Sequence, residues 1–564
     1  MHVSHQIAEI LRNSGFTRVF GTSDRDADGV GFLLGDGCAR LRFVPARHDV
    51  TAVGMAIGAS RVTRSPQVCW VASDARVTRI AAGCATAMLD RDPILVLGAR
   101  AGTGVLGHDE VHPRADSVAR MRPITKYAAE ISAPADTPRV LTEAIAAIRT
   151  GRPGPAFVSV PVDVLSGAAT APVPDPPPIR RSVATWDEAD VQVWVRAFRA
   201  ARSPLIVAGG GVVGRGLARA VAEFSERFAI PVAATYTAHG TVPVASDLYG
   251  GVVSPYADVL FELRYLDAVF ADTDLIVLVG YDPVEHRPDT WRGRGGPKRV
   301  LALSEWPQDD AAFGAESSLV GACGAFLGRL AQELTAYRRP EPYMPVPGGS
   351  LAPENRTGPL RGPEILSALA EATGRFRLAA DTGLSGHLGG VHFAPSAAGD
   401  YLASSGPAGV GTGLPLGMGA ALADPPTRVV VLAGDDGFHS DGDELETAAH
   451  LGLRLVVVVA DSTGDSTFRS VRAPGEGVSR RGAPTTSRPV DVVRLAEANG
   501  VPAVRAEGYD ALLAALSASA DARGPVLIQV PVTYSDAFVH AYEAETRGRP
   551  RTDGTSAPRA PGTT

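Results

Sequence analysis

Short apolar runs rich in β-branched residues alternate along the chain with alanine- and leucine-rich segments of helical pattern. Continuous apolar runs separated by helices are typical of parallel strands that are buried on both faces of a sheet. The runs are RVFG, RFVP, CWVA, PILVLGA and AFVSVP, then PLIVAGG, PVAATY, LIVLVG and VLALS, and finally FRLAAD, VVVLAGDD, LVVVVAD and VLIQVPV. The pattern predicts an α/β protein of open parallel sheets, in which ligands bind beyond the carboxyl ends of the strands.

Two proline-rich stretches divide the 564 residues into three parts of ordinary domain size. The first contains SGAATAPVPDPPPIRRSVAT and the second AYRRPEPYMPVPGGSLAPENRTGP, while the last stretch is polar and indicates disorder. We expect each part to be an open, Rossmann-like parallel sheet. The expected order is a domain at 1–165, a linker at 166–187, a domain at 188–335, a linker at 336–361, a domain at 362–541 and a disordered tail at 542–564.

Charge and hydropathy argue against several classes of partner. The net charge of −7 gives no basic surface for nucleic acid. No apolar run approaches the roughly 18 residues that a membrane helix needs, and the first residues lack a signal-peptide core. The four cysteines are too few and too scattered for a disulfide framework or a zinc site. We therefore expect a cytoplasmic protein that acts on a small molecule, with no nucleic-acid partner and no membrane partner.

A glycine-rich stretch, Gly209–Gly214, follows the run PLIVA and formally matches a dinucleotide-binding fingerprint. A nicotinamide site also needs an acidic residue at the end of the next strand, about 20 positions further on. The next run, IPVAATY, ends at Tyr236 without a carboxylate. A tight turn between strand and helix is therefore favoured over a nicotinamide oxidoreductase.

Another segment, VVVLAGDDGFHSDGDELETAAHLGLRLVVVVAD, brings acidic residues to the ends of two neighbouring strands. One strand ends at Gly434–Gly437, and the next ends at Asp461, 26 positions after Asp435. Side-chain oxygens there suit Mg²⁺, and the N–H groups at the start of the intervening helix suit a phosphate. A solvated acidic turn explains the spacing equally well.

The same segment resembles the diphosphate-binding signature of thiamine diphosphate enzymes, in which Gly-Asp-Gly is followed at a similar distance by an asparagine. RHD before TAVGMA, LDRDPILVLGA, ITKYA, GRPGPAFVSVPVDVL, GYDPVEHRPDTW and LAEANGV occur in the order of that family. The chain resembles the acetolactate synthase superfamily, most of all its carboxyethylarginine synthase branch. The resemblance implies pyrimidine-binding, central and diphosphate-binding domains, the cofactors thiamine diphosphate and Mg²⁺, and a homodimer or homotetramer with its sites at the subunit interface.

The resemblance also implies a role for each residue near the cofactor. Asp49 takes the place of the catalytic glutamate that hydrogen-bonds the aminopyrimidine ring and promotes loss of the thiazolium C2 proton. Asp435 and Asp461 are expected to hold Mg²⁺, with the backbone of Thr463 as a third ligand. Val410 takes the place of the bulky residue that keeps the cofactor bent. The expected cofactor-binding residues are Ser73, Val410, Gly434, Asp436 and Gly437.

Several of these positions depart from the family pattern. Asp49 is shorter than glutamate by one methylene, about 1.5 Å of reach, and would act through a water or a shifted helix. The usual Ser-Gly-Pro-Gly turn reads Ser73–Arg76 as SDAR. Asp436 and Asp461 replace a glycine and an asparagine, and like charges 4 Å apart cost about 4 kcal/mol at an effective dielectric constant near 20. Arg469 is a candidate for the compensating cation.

Two functions stay open at this point. The first is a thiamine diphosphate- and Mg²⁺-dependent carboligase or lyase of specialised metabolism. The second is a degenerate member of the family that has lost this chemistry and acts as a scaffold or binds another ligand. The second function predicts that Arg76 or Arg79 fills the vacated pocket and pairs with Asp436 across the subunit interface.

Overall fold

The computed structural model describes the chain in eleven ranges. They are 1–22, 41–100, 102, 116–176, 186–214, 216–262, 264–308, 312–343, 357–406, 409–462 and 490–546. Over these ranges the chain forms three parallel sheets flanked by helices, which confirms the predicted fold class. No helix within them is long and apolar enough to cross a membrane.

The first sheet has six parallel strands in the order β2-β1-β3-β4-β6-β5. Its strands are β1 (Arg18–Thr22), β2 (Arg42–Ala46), β3 (Gln67–Val71), β4 (Ile94–Arg100), β5 (Tyr127–Glu130) and β6 (Ala156–Pro161). Its helices are α1 (Val3–Asn13), α2 (Asp49–Thr63), α3 (Asp74–Asp90), α4 (Ser117–Met121), α5 (Thr137–Arg149) and α6 (Val162–Ser166).

The central sheet also has six parallel strands, in the order β12-β11-β10-β7-β8-β9. Its strands are β7 (Pro204–Ala208), β8 (Val232–Ala234), β9 (Tyr249–Val252), β10 (Leu275–Val279), β11 (Arg299–Ser304) and β12 (Ser317–Val320). Its helices are α7 (Glu188–Ala200), α8 (Leu217–Phe228), α9 (Ala257–Leu260), α10 (Tyr265–Phe270) and α11 (Cys323–Glu333).

The third sheet has seven strands, in the order β13-β19-β17-β16-β14-β15 with β18 beside β19. Its strands are β13 (Leu360–Arg361), β14 (Phe376–Ala380), β15 (Tyr401–Leu402), β16 (Arg428–Gly434), β17 (Leu455–Asp461), β18 (Ala503–Arg505) and β19 (Val526–Thr533). Its helices are α12 (Gly362–Thr373), α13 (Leu384–His392), α14 (Gly413–Ala423), α15 (Asp435–Asp441), α16 (Leu445–His450), α17 (Val492–Ala498), α18 (Tyr509–Ala518) and α19 (Asp536–Thr546).

The last helix extends past Tyr542, where the sequence indicated that a disordered tail begins. The Tyr542 ring lies 5.7 Å from the ring of His387 and 6.2 Å from that of Tyr256, measured between centroids. These contacts give α19 an aromatic surface against which to pack, and the helix continues to Thr546.

The first and third domains share a hydrophobic core, in which Val71 of β3 and Val431 of β16 belong to the same buried cluster. Helix α2 packs along α14, and both helices carry a glycine at the contact. A Cβ on Gly58 would overlap the carbonyl of Leu416, and a Cβ on Gly419 would overlap the α2 backbone. The close approach of these helices fixes the start of α2 against the third domain.

Candidate active site

Asp49 is the first residue of α2, and its side chain is 1 % exposed. The carboxylate Oδ1 accepts a hydrogen bond of 2.9 Å from the hydroxyl of Thr22, the last residue of β1. A carboxylate in the first turn of a helix is stabilised by the unpaired backbone N–H groups and by the helix dipole. The ends of β1 and β2 thus hold a buried acidic group at the carboxyl edge of the first sheet.

Arg76 folds back onto this acidic group. The Ser73–Arg76 segment is the start of α3, with Ser73 as its partly buried N-cap residue. The guanidinium Nη1 of Arg76 donates a 3.0 Å hydrogen bond to Thr22 Oγ1 and lies 3.6 Å from Asp49 Oδ2. Among the described contacts, Asp49 is an acidic neighbour of Arg76, while Arg79 is exposed.

The third sheet brings Asp435 and Asp461 to neighbouring strand ends, as the spacing predicted. Strands β16 and β17 pair in parallel with Gly434 opposite Ala460. Asp461 ends β17, and Asp435 follows β16 as the first residue of α15. The two carboxylates therefore leave adjacent strands at the same edge of the sheet.

A third strand of this sheet contributes an acidic residue that the sequence analysis did not assign. Asp381 follows β14, is 1 % exposed, and packs against Gly437 so closely that a Cβ there would overlap its Oδ2. The Asp381 carboxylate accepts hydrogen bonds from the backbone N–H groups of Thr382, Gly411, Thr412 and Gly413. Asp381 therefore holds the loop that contains the partly buried Val410. Burial raises the pKa of Asp381, although these hydrogen bonds oppose the shift. The available signal was the aspartate that ends the run FRLAAD.

Asp461 has protein partners on the side of β17 that faces away from β16. Its Oδ2 accepts a 2.6 Å hydrogen bond from Gln529 Nε2 of β19 and lies 3.9 Å from Arg505 Nη1 of β18. Arg505 thus provides a positive charge near this carboxylate. Arg469, which the sequence analysis proposed as the compensating cation for Asp436, lies outside the described ranges.

The described residues fit thiamine diphosphate at its anionic end. Carboxylates on adjacent strand ends are suitable oxygen ligands for a divalent cation that bridges to a diphosphate. Over the described residues, however, no group of three histidine, cysteine or acidic side chains is placed to hold a metal ion by itself. Thr463 and the side chain of Asp436 lie outside the part of the chain that can be assessed.

Two histidines, partly buried His387 of α13 and buried His286 of the central domain, lie where these two domains meet. Nδ1 of His387 lies 3.3 Å from the hydroxyl of Tyr236, which is 2.5 Å from Ser254 Oγ. The ring of His286 packs edge-on against Tyr236 at 4.5 Å between centroids. Burial lowers the pKa of His387 to about 4, and burial together with the nearby His387 lowers that of His286 to about 3. Both imidazoles are therefore neutral near pH 7.

Asp441, at the end of α15, is a partly buried acid in the same region as Asp381. Its carboxylate lies close to Gly411, in the loop that Asp381 holds. Burial raises the pKa of Asp441 to about 7, with further contributions from the negative charges of Glu444, Asp381 and Asp443. Asp441 therefore changes its protonation near neutral pH.

The glycine-rich stretch after β7 is a tight turn packed against protein. A Cβ on Gly209 would overlap the backbone of Tyr281, and the N–H of Gly210 donates a 3.1 Å hydrogen bond to Glu285 Oε1. The same Glu285 oxygen forms an ion pair of 2.7 Å with Arg91 of the first domain. A carboxylate thus occupies the place where a dinucleotide phosphate would have to bind. This agrees with the prediction of a tight turn rather than a nicotinamide site.

Family comparisons match three models to successive parts of the chain. The N-terminal TPP binding domain of thiamine pyrophosphate enzymes matches residues 1–119, the central domain matches 191–330, and the C-terminal TPP binding domain matches 381–530. Asp49 lies in the first match, and Asp435 and Asp461 lie in the third.

Individual relatives are similar over most of their length. An acetolactate synthase of Bacillus subtilis is 28 % identical over 560 residues, which cover 94 % of this chain and 93 % of that protein. A "Probable 2-ketoarginine decarboxylase" of Pseudomonas aeruginosa is 29 % identical over 491 residues, 80 % of each chain. The structure of a thiamine diphosphate-dependent 4-hydroxybenzoylformate decarboxylase of Rhodococcus jostii superimposes with a TM-score of 0.78 at 22 % identity, over 95 % of this chain and 100 % of that one. This last likeness shows the shared fold.

Proposed function

Because this chain belongs to the thiamine pyrophosphate enzymes, we propose that it is a cytoplasmic, Mg²⁺-dependent carboligase or lyase of specialised metabolism. Its donor would be a 2-oxo acid or a sugar phosphate, and the reaction would form or break a bond next to the donor carbonyl. The observation that carries the proposal is the pair of carboxylates, Asp435 and Asp461, on adjacent strand ends within the C-terminal TPP binding domain match. A cofactor-free scaffold is not favoured, because all three cofactor-enzyme models match the chain.

Each region of the site would contribute one function. Thiamine diphosphate, when bound, supplies a nucleophilic carbon that also stabilises a carbanion next to a carbonyl. Asp435 and Asp461 would hold Mg²⁺ against the diphosphate, with the backbone at Gly434 and Gly437 close to the anion. Asp49 would act on the pyrimidine end, at an interface between two subunits of a homodimer or homotetramer.

The imidazoles of His387 and His286, which both contact Tyr236, are candidates for the wall of the site that faces the substrate. His387 lies one turn beyond Gly383, at the same sheet edge as Asp435. A neutral imidazole provides one donor and one acceptor, so it suits a carbonyl or hydroxyl of the substrate better than a second charge does. We assign His387 and Tyr236 to orienting the donor carbonyl and to excluding water.

The substrate search should begin with 2-oxo acids and with arginine. One relative is named for 2-ketoarginine, the 2-oxo acid of arginine, and the sequence resembles the carboxyethylarginine synthase branch. We propose an acceptor or donor that carries a guanidino group, with a triose phosphate as the second carbon source.

The decisive experiment is calorimetric titration of metal-stripped protein with thiamine diphosphate, with and without Mg²⁺. Micromolar binding that requires Mg²⁺ is the expected result, and substrate assays by mass spectrometry would follow with 2-ketoarginine, pyruvate, and arginine plus glyceraldehyde 3-phosphate. Absence of binding at millimolar cofactor would overturn the proposed function.

A further inference from the structure

The carboxylate of Asp49 is enclosed by the chain's own groups. Its side chain is 1 % exposed, its Oδ1 accepts the hydrogen bond from Thr22, and its Oδ2 faces Arg76. The Arg76 side chain is 30 % exposed. Of these two charged groups, the Arg76 guanidinium is therefore the more accessible to a ligand.

Two of the described residues help to orient Arg76. Its Nη1 donates to Thr22 Oγ1 at 3.0 Å and lies 3.6 Å from Asp49 Oδ2. The resulting triangle of hydroxyl, carboxylate and guanidinium fixes the planar end of a side chain that is otherwise flexible. A guanidinium carries five N–H donors in a rigid fork, so it is able to hold protein neighbours and a ligand at once.

Provided that the proposed function holds, we propose that Arg76 makes the contact with the ring nitrogen N1′ of the cofactor pyrimidine, and that Asp49 acts on the pyrimidine end through Arg76, as a positioning residue that orients it. A ring nitrogen is an acceptor, and a guanidinium is a permanent donor that does not lose its proton in proteins. Arg76 therefore polarises the ring by a charge-assisted hydrogen bond. A carboxylic acid at the same place would pass its proton to the ring.

The test compares the affinity of three ligands by calorimetry in the presence of Mg²⁺: thiamine diphosphate, its analogue with CH in place of N1′, and the thiazole diphosphate fragment without the pyrimidine. We expect the wild-type protein to prefer thiamine diphosphate over the CH analogue by about tenfold, as a hydrogen bond to a charged group provides. Arg76→Met should bind thiamine diphosphate and the CH analogue equally, with the affinity for the fragment unchanged. Arg76→Lys should retain part of the preference for thiamine diphosphate over the CH analogue. Arg79→Ala, on the exposed face of the same helix, should match the wild type.

Other results would overturn the inference. If Arg76→Met keeps the tenfold preference while Asp49→Asn abolishes it, Asp49 itself contacts the ring. If Arg76→Met weakens binding of the thiazole diphosphate fragment as much as it weakens binding of thiamine diphosphate, Arg76 has only a structural role. Thermal unfolding of each variant checks folding, and the lysine variant retains the test should the methionine variant unfold. A wild-type protein that binds the fragment and both larger ligands equally would overturn the inference alone, whereas one that binds none of the three would overturn the proposed function.

Discussion

Gly437 lies directly against the carboxylate of Asp381, so that no side chain has room at position 437. The contact joins the first turn of α15, which starts at Asp435, to the carboxylate that fixes the loop before α14. The proposed diphosphate end of the site thus combines a glycine in the helix after β16 with an acid at the end of β14, a neighbouring strand.

The first prediction concerns this contact. Gly437→Ala should destabilise the protein by about 2 kcal/mol or more, because the added methyl group overlaps a buried carboxylate that four backbone N–H groups hold in place. We also expect a loss of thiamine diphosphate affinity, since α15 must shift. Thermal unfolding and calorimetry measure the two effects.

The control for this prediction is Gly328→Ala in α11, where the added methyl group enters open space. Alanine in a helix interior is favoured over glycine by up to about 1 kcal/mol, so this variant should be slightly more stable than the wild type. Equal behaviour of the two variants would contradict the packing argument.

The second prediction concerns the dependence of stability on pH. The pKa of Asp441 in the folded protein is about 7, against an ordinary value of 3.8. A raised carboxyl pKa means that the folded state keeps its proton longer, so the contribution to stability is full at low pH and is lost as pH rises from about 4 to about 7, at about 1.4 kcal/mol per pH unit. Asp441→Asn removes this loss, so the variant should unfold at a higher temperature than the wild type at pH 8, with the difference vanishing near pH 4.

The exposed Asp247 provides the control, since Asp247→Asn makes the same chemical change at the protein surface. Comparing variant with wild type at each pH cancels the titration of all other groups. A constant difference for Asp441→Asn across pH 4–8 would be evidence against the assignment.

The third prediction concerns the junction between the first and central domains. Arg91 forms ion pairs of 2.6 Å with Asp282 and 2.7 Å with Glu285, and all three side chains are less than a tenth exposed. Arg91→Met leaves two buried carboxylates without this partner and should cost about 3–5 kcal/mol of unfolding free energy. The exposed pair of Arg219 and Glu223 is the matched control, and Arg219→Met should leave the free energy of unfolding nearly unchanged. Thermal unfolding distinguishes the two, and comparable losses would refute the role of burial.

The sequence predicted the centre of each sheet well and its edges poorly. Every predicted run forms a strand. The interior strands are buried on both faces, and they therefore read as continuous apolar segments. In β16, for example, Val429 and Val431 face one buried cluster while Val430 and Leu432 face another. The strands that were not predicted are β5, β9, β12, β13, β15 and β18. Each of these pairs with only one other strand, so the apolar pattern is short or broken.

The sequence likewise predicted only some of the contacts in the candidate site. The adjacency of Asp435 and Asp461 followed from chain order, because consecutive strands joined by a helix commonly pair in parallel. The contact of Arg76 with Asp49, and that of Arg505 with Asp461, join residues from elements that no periodic pattern connects. Long side chains reach across strand ends in directions set by packing, and a sequence alone does not specify those directions.

The last prediction separates the two carboxylates of the proposed cation site. Asp435→Ala should weaken Mg²⁺-dependent binding of thiamine diphosphate by about 100-fold, since it removes an anionic oxygen ligand from the start of α15. Asp461→Asn should change the affinity by less than about threefold, because an amide oxygen also binds Mg²⁺ and because the loss of one negative charge beside the diphosphate offsets the loss of the contact with Arg505. Calorimetry at fixed Mg²⁺ measures both, with Asp247→Asn as a distant, exposed control. Equal and large losses for both variants would show that the charge of Asp461 is needed, and equal, negligible effects would remove both residues from the cation site.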